Sequence, residues 1–94
     1  MYYTLKYLKE NEQGIFVGLP IPSTVTLFKK EAVDKFKQVV NSLVEDCNII
    51  AYRNSKNKCT LMEVIYECDT PAYGRGTYAI ELKEYITRPN LYKI

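Results

Sequence analysis

Residues 30–47 constrain the fold more than any other stretch, because they segregate apolar from polar side chains at helical spacing without an exception. At about 100° per residue, Ala32, Val33, Phe36, Val39, Val40, Leu43, Val44 and Cys47 fall on one arc. Lys30, Glu31, Asp34, Lys35, Lys37, Gln38, Asn41, Ser42, Glu45 and Asp46 fill the rest. Such a helix draws most of its stability from burying its apolar face, so the chain must supply a bed for it. Lys29 would fall on the apolar arc, which puts the start at Phe28 or Lys29. Glu31 and Asp34 complement the positive end of the dipole, and Glu31 stands at the spacing that favours an ion pair with Lys35. Glu45 and Asp46 sit at the unfavourable end, and Asn48 is the expected left-handed cap.

The bed comes from strands on either side of the helix. Tyr3, Leu5 and Tyr7 alternate with Thr4 and Lys6, which predicts a strand over 2–9. A turn over 11–14 leads to a second strand over 15–19, completing a hairpin. Pro20 and Pro22 then interrupt pairing. The β-branched run 24–28 predicts a third strand running into the helix, with an irregular lead-in as the competing reading. After the helix, 48–53 and 59–68 form a hairpin around 54–58; Met62, Val64, Tyr66 and Cys68 share one face, Leu61, Glu63, Ile65 and Glu67 the other. A loop over 70–76 precedes a strand over 77–86, where Tyr78, Ile80, Leu82 and Ile86 alternate with Ala79, Glu81, Lys83 and Tyr85. Pro89 takes 88–94 out of central pairing, as a loose tail.

These elements predict a single α+β domain over 1–94, a mostly antiparallel sheet of five or six strands with one amphipathic helix packed on one face, in the order β-β-β-α-β-β-β. Phe36 and Leu43 are expected on the face made by Met62, Val64, Tyr66, Tyr78, Ile80 and Leu82.

A composition of 47% apolar and 26% charged residues argues against disorder. The net charge of +2 is spread evenly, with six basic and six acidic side chains in residues 1–47 and seven and five in 48–94, so the chain lacks the footprint of a strongly basic nucleic-acid binder. The first residues do not form a basic segment followed by an apolar one, and no apolar run approaches the ~18 residues of a membrane helix, so a cytoplasmic protein with no membrane association is expected. Cys47, Cys59 and Cys68 are odd in number in apolar settings, which predicts reduced core thiols rather than one disulfide and a spare.

The chain has no histidine, which removes the Ser-His and Cys-His arrangements, the usual proton shuttle and the commonest metal ligand. The cysteines lack a Cys-x-x-Cys pair, and residues 73–76 carry too few glycines, with no helix following, to cradle a phosphate. No cofactor, metal or catalytic activity is therefore expected. Glu63, Glu67 and Glu81 fall on one predicted sheet face; a solvated face with Lys83 as counter-charge is favoured over a carboxylate site.

Two binding surfaces remain. Nine tyrosines and no tryptophan in 94 residues suggest rigid amphipathic contact area, with Tyr73, Arg75, Tyr85, Tyr92 and Ile65 as the candidate partner-binding residues. Leu61, Ile65, Ala79 and Tyr85 leave a second sheet face without an evident cover, which points to a partner protein or a homodimer. Alternatively, Arg53, Lys56 and Lys58 around one turn and Arg75 in another form two basic loops that would clamp nucleic-acid phosphates from one end of the sheet, Tyr73 stacking between them. The first reading is a small non-catalytic protein-binding module, an inhibitor or adaptor that occludes a larger protein or complex; ten lysines against three arginines fit an AT-rich mobile-element or viral source. The second is a nucleic-acid-binding module.

Overall fold

The two periodicities resolve into five strands and one helix in the computed structural model, which describes residues 1–54 and 59–88. In chain order these are β1 (Tyr2–Glu10), β2 (Phe16–Gly18), α1 (Lys29–Asp46), β3 (Asn48–Asn54), β4 (Thr60–Thr70) and β5 (Gly74–Tyr85).

The β1–β2 hairpin closes through Asn11, whose side-chain oxygen accepts from the Gln13 and Ile15 backbone N–H groups at 2.9 and 3.0 Å. Gly14 completes the turn at φ 78°, a conformation that only a residue without Cβ adopts cheaply. Beyond β2, Leu19 donates to the Tyr7 carbonyl at 2.8 Å. The expected third strand over 24–28 is not formed: it shrinks to one bridge, Tyr3 with Thr26, joined by backbone hydrogen bonds of 2.9 and 3.0 Å. Pro20 and Pro22 have no N–H to give, so the chain leaves β1 after Leu19, and among the described residues its backbone pairs with β1 again only at Thr26. The order is therefore β-β-α-β-β-β.

The sheet is antiparallel throughout, with spatial order β2-β1-β5-β4-β3. The meander β3–β4–β5 joins the β1–β2 hairpin through β1 and β5, paired from Tyr2↔Tyr85 to Lys9↔Tyr78. Strands β2 and β3 are thus the two edges, and α1 carries the chain from one to the other. Its 18 residues span about 27 Å, enough to cross five strands spaced about 4.8 Å apart. Its first turn consequently lies by the free side of β1, and its last by β3.

Phe36 and Ala32 are buried under the helix against Tyr3, Leu5, Met62, Val64, Tyr66, Tyr78, Ile80 and Leu82, the predicted bed extended by β1. Val33, Val39, Val40 and Leu43 pack around that centre, whereas Val44, at the margin of the apolar arc, is exposed. The helix ends without the left-handed cap expected at Asn48: Cys47 is already extended at φ −130° and ψ 160°, and Asn48 opens β3. Register shifts occur in β4 between Thr60 and Met62 and in β3 between Ile49 and Ala51. The first frees Leu61 from strict alternation, and it packs toward the helix-side core instead of lining the opposite face. The end of the chain expected as a loose tail lies, from residue 89 onward, outside the described residues.

Candidate functional site

The pairing that closes the sheet also decides which apolar residues are left outside. Tyr2 pairs with Tyr85 and Tyr3 bridges Thr26, so Met1, Ile86, Leu27 and Phe28 come together where β1 begins, β5 ends and α1 starts. Their exposures are 57%, 82%, 61% and 64%, high values for four large apolar side chains gathered at one end of a small domain. Leu27 and Phe28 are held there by the helix entry. Thr26 Oγ1 accepts from the Phe28 N–H at 3.3 Å and donates to Glu31 Oε2 at 3.0 Å, while Phe28, the N-cap residue, offers no side-chain cap of its own.

Beside this apolar end lies a half-open groove of about 470 Å³, between the free side of β1, residues 22–26 and the first turns of α1. Tyr3, Leu5, Ala32 and Leu82 form its apolar wall, and Ser23, Thr24 and Thr26 line its rim. Thr4, also on the lining, donates to Ser23 Oγ at 3.1 Å and ties the rim to β1. Glu31 and Lys35 both face the groove, but the ion pairs formed among the described residues are Arg53–Glu63 and Lys83–Glu81. Glu31 is held by Thr26 in place of the expected Lys35. A hydrogen bond to Glu84 on β5, reinforced by burial and by that carboxylate's charge, pushes the Tyr3 phenol above its ordinary pKa; burial alone raises Tyr7. Both phenols therefore stay protonated donors through the neutral range.

The sequence-derived candidates are scattered by comparison. Tyr85 lies at the apolar end, opposite Tyr2. Tyr73 lies in the β4–β5 turn and Arg75 in β5 opposite Asp69, so the length of β5, roughly 35 Å, separates them from Tyr85. Residues 74–76 belong to β5 and not to a loop. Ile65 is half-buried in mid-sheet between Ala51 and Ala79. Tyr92, Lys56 and Lys58 lie outside the described residues.

Arg53 and Arg75 do not share an end of the sheet. In the antiparallel β3–β4–β5 meander β3 ends beside the start of β4, whereas the β4–β5 turn lies at the other end of β4. Arg53 pairs opposite Glu63 and Arg75 opposite Asp69, about 20 Å apart along the strand. The clamp expected from Arg53 and Arg75 is not formed, and Arg53 is engaged with Glu63 at 3.9 Å.

The carboxylate face also differs from expectation. Glu63 and Glu81 stand directly opposite one another on β4 and β5, yet are only 4% and 8% exposed rather than solvated. Arg53 approaches the first at 3.9 Å and Lys83 the second at 4.0 Å, and the Lys83 ammonium donates to Thr60 Oγ1 at 2.9 Å. Glu67 is opposite Thr77, farther along, and no group of three metal-ligating side chains converges among the described residues. Leu8 and Ala79, paired on this same face, are buried, so the face is not the open apolar patch that Ala79 and Ile65 suggested.

Nothing in the periodicity of the sequence singles out Met1, Leu27, Phe28, Ile86 or the groove. The available signal was Leu27–Phe28, two large apolar residues just ahead of a helix whose apolar arc was already complete. The chain matches no protein-family model, no curated protein and no solved structure.

Proposed function

We propose that the protein is a small non-catalytic protein-binding module that docks through the apolar end formed by Met1, Leu27, Phe28 and Ile86 and occludes the surface it covers. The joint exposure of these four side chains carries the reading. The adjoining groove, with an apolar wall and a hydroxyl-bearing rim, has the anatomy of a pocket that receives a partner's anchoring side chain while the rim satisfies its backbone. An inhibitor or adaptor acting by occlusion needs such a surface and no reacting groups.

The test uses Phe28→Asp combined with Ile86→Asp. Both positions are exposed, and aspartate at the N-cap position caps a helix better than phenylalanine, so the variant keeps its fold. Capture from a nuclease-treated native lysate should recover one stoichiometric protein with the wild type and with Tyr73→Ala/Arg75→Ala, and lose it with the double aspartate variant. Retention of the same partner by the aspartate variant overturns the reading. So does a wild-type homodimer in solution that the aspartate variant dissolves, because the occupant is then a second copy.

A further inference from the structure

The end of α1 delivers a second feature that the docking surface does not use. Cys47 accepts the helix's closing position, its N–H bonded to the Leu43 carbonyl at 2.8 Å, and then turns extended into β3. Asn48 pairs with Glu67 in the antiparallel ladder, so the next register position sets Cys47 against Cys68. Alternation puts both on the helix side of the sheet, where both are half-buried and pack against the same core cluster. Directly opposed residues of an antiparallel pair have Cα atoms about 4.5–5.5 Å apart, inside the span a disulfide bridges.

We propose that Cys47 and Cys68 are a reversible oxidation site that closes as a disulfide between the end of α1 and β4, with Cys59 left outside it. Cys59 precedes β4 and is exposed, and eight residues of strand lie between it and Cys68, about 25 Å or more, which excludes a bond between them without unfolding the strand.

The oxidant is a small disulfide such as oxidised glutathione. The Cys68 thiolate attacks one glutathione sulfur, forming a mixed disulfide and expelling a glutathione thiolate. The Cys47 thiolate then attacks Cys68 Sγ, forming the protein disulfide and expelling the second glutathione thiolate. Two electrons pass from the protein thiols to the glutathione disulfide, and the two thiol protons end on the two glutathione products. Burial pushes the Cys47 thiol up to about 11, with the Cys68 thiol beside it and the Asp46 carboxylate adding to the effect. Little of it is thiolate at neutral pH, so its attack is slow there.

The experiment treats the folded chain with oxidised glutathione, blocks remaining thiols by alkylation and maps the peptides without reduction. The expected product is one cross-link joining the peptides of Cys47 and Cys68, two hydrogens lighter, with Cys59 alkylated or glutathionylated, and reversed by dithiothreitol. Cys59→Ser should form the same cross-link. Closure should accelerate about tenfold per pH unit between pH 7 and 9, as the Cys47 thiolate fraction grows. Full alkylation of Cys47 and Cys68 after oxidation overturns the proposal. A cross-link through Cys59 as the main product under native conditions overturns it as well.

Discussion

Lys9 lies across the ring of Tyr78 on the neighbouring strand, its ammonium 5.7 Å from the ring centroid, and reaches on to donate to the Tyr73 carbonyl. The path is open because it crosses Gly76, where a Cβ would stand 2.9 Å from Lys9 Cε. One side chain thus fastens β1 to the β4–β5 turn. Lys9→Met keeps the apolar stem and removes the charge, losing the contact with the ring and the hydrogen bond. The expected cost is about 1–2 kcal/mol in urea unfolding, with an unchanged slope.

The same turn is held from inside by Tyr78. Its hydroxyl donates to the Gly74 carbonyl and receives the Thr70 hydroxyl at 3.1 Å, while Thr70 Oγ1 accepts the Tyr73 N–H at 3.0 Å. Gly74 sits at φ 79°, where a side chain is strained. Gly74→Ala should therefore destabilise by about 1 kcal/mol or more, and Tyr78→Phe, which leaves the Thr70 hydroxyl and Gly74 carbonyl short of a partner, by about 1–3 kcal/mol. Thermal unfolding of the two variants checks both values.

Phe36 is the anchor between helix and sheet. It is wholly buried, and its ring meets Tyr52 of β3 edge to face, with centroids 6.0 Å apart and planes at 62°. Phe36→Ala should cost about 3–5 kcal/mol, a large share of the stability of a domain this size. A calorimetric midpoint equal to the wild type's would place the helix elsewhere.

Periodicity was enough for the helix, whose observed span Lys29–Asp46 begins at the predicted boundary and ends one residue short of the predicted Cys47, and for the bed of Val64, Tyr66, Ile80 and Leu82 beneath it. It failed where the backbone, not the side chains, decides. Thr24, Val25 and Thr26 have strand-forming side chains, but the prolines before them leave nothing to pair until Thr26. Placing Arg53 and Arg75 together neglected connectivity: successive turns of a meander must fall at opposite ends, whatever their composition. The groove was unreadable for another reason. Tyr3, Ser23, Glu31 and Leu82 come from four separate stretches, and no spacing in the sequence relates them.

Alkaline pH should unfold this protein earlier than an average domain. Burial raises the Tyr66 phenol, with the adjacent Cys47 and Cys68 thiols adding to it; Cys47 itself is raised to about 11, and Tyr3 is raised by Glu84. Each group holds its proton more tightly folded than unfolded, so its stabilising contribution is complete below the ordinary thiol and phenol values of 9.0 and 10.0 and is lost as pH rises through the folded values. Urea midpoints should be flat from pH 7 to about 8.5 and fall from there to about 11. Tyr66→Phe combined with Cys47→Ala should flatten that decline, and an identical slope in the variant would refute the assignment.

The helix entry offers the sharpest separation of two hydrogen bonds made by one atom. Thr26 Oγ1 takes the Phe28 N–H and gives its proton to Glu31, standing in for the side-chain cap that Phe28 cannot supply. Thr26→Val preserves the β-branched shape and the backbone bridge to Tyr3 but deletes both bonds, and should cost about 1 kcal/mol, comparable to a lost N-cap. Glu31→Gln retains an acceptor for the Thr26 hydroxyl and gives up only the charge near the positive end of the helix, about 0.3–1 kcal/mol. Amide hydrogen exchange should localise the difference. Protection of the Ala32 N–H, bonded to the Phe28 carbonyl at 3.1 Å, should fall in Thr26→Val and stay close to wild type in Glu31→Gln. Equal loss in both variants would mean that the carboxylate charge, rather than the hydroxyl, holds the first turn and the groove wall it forms.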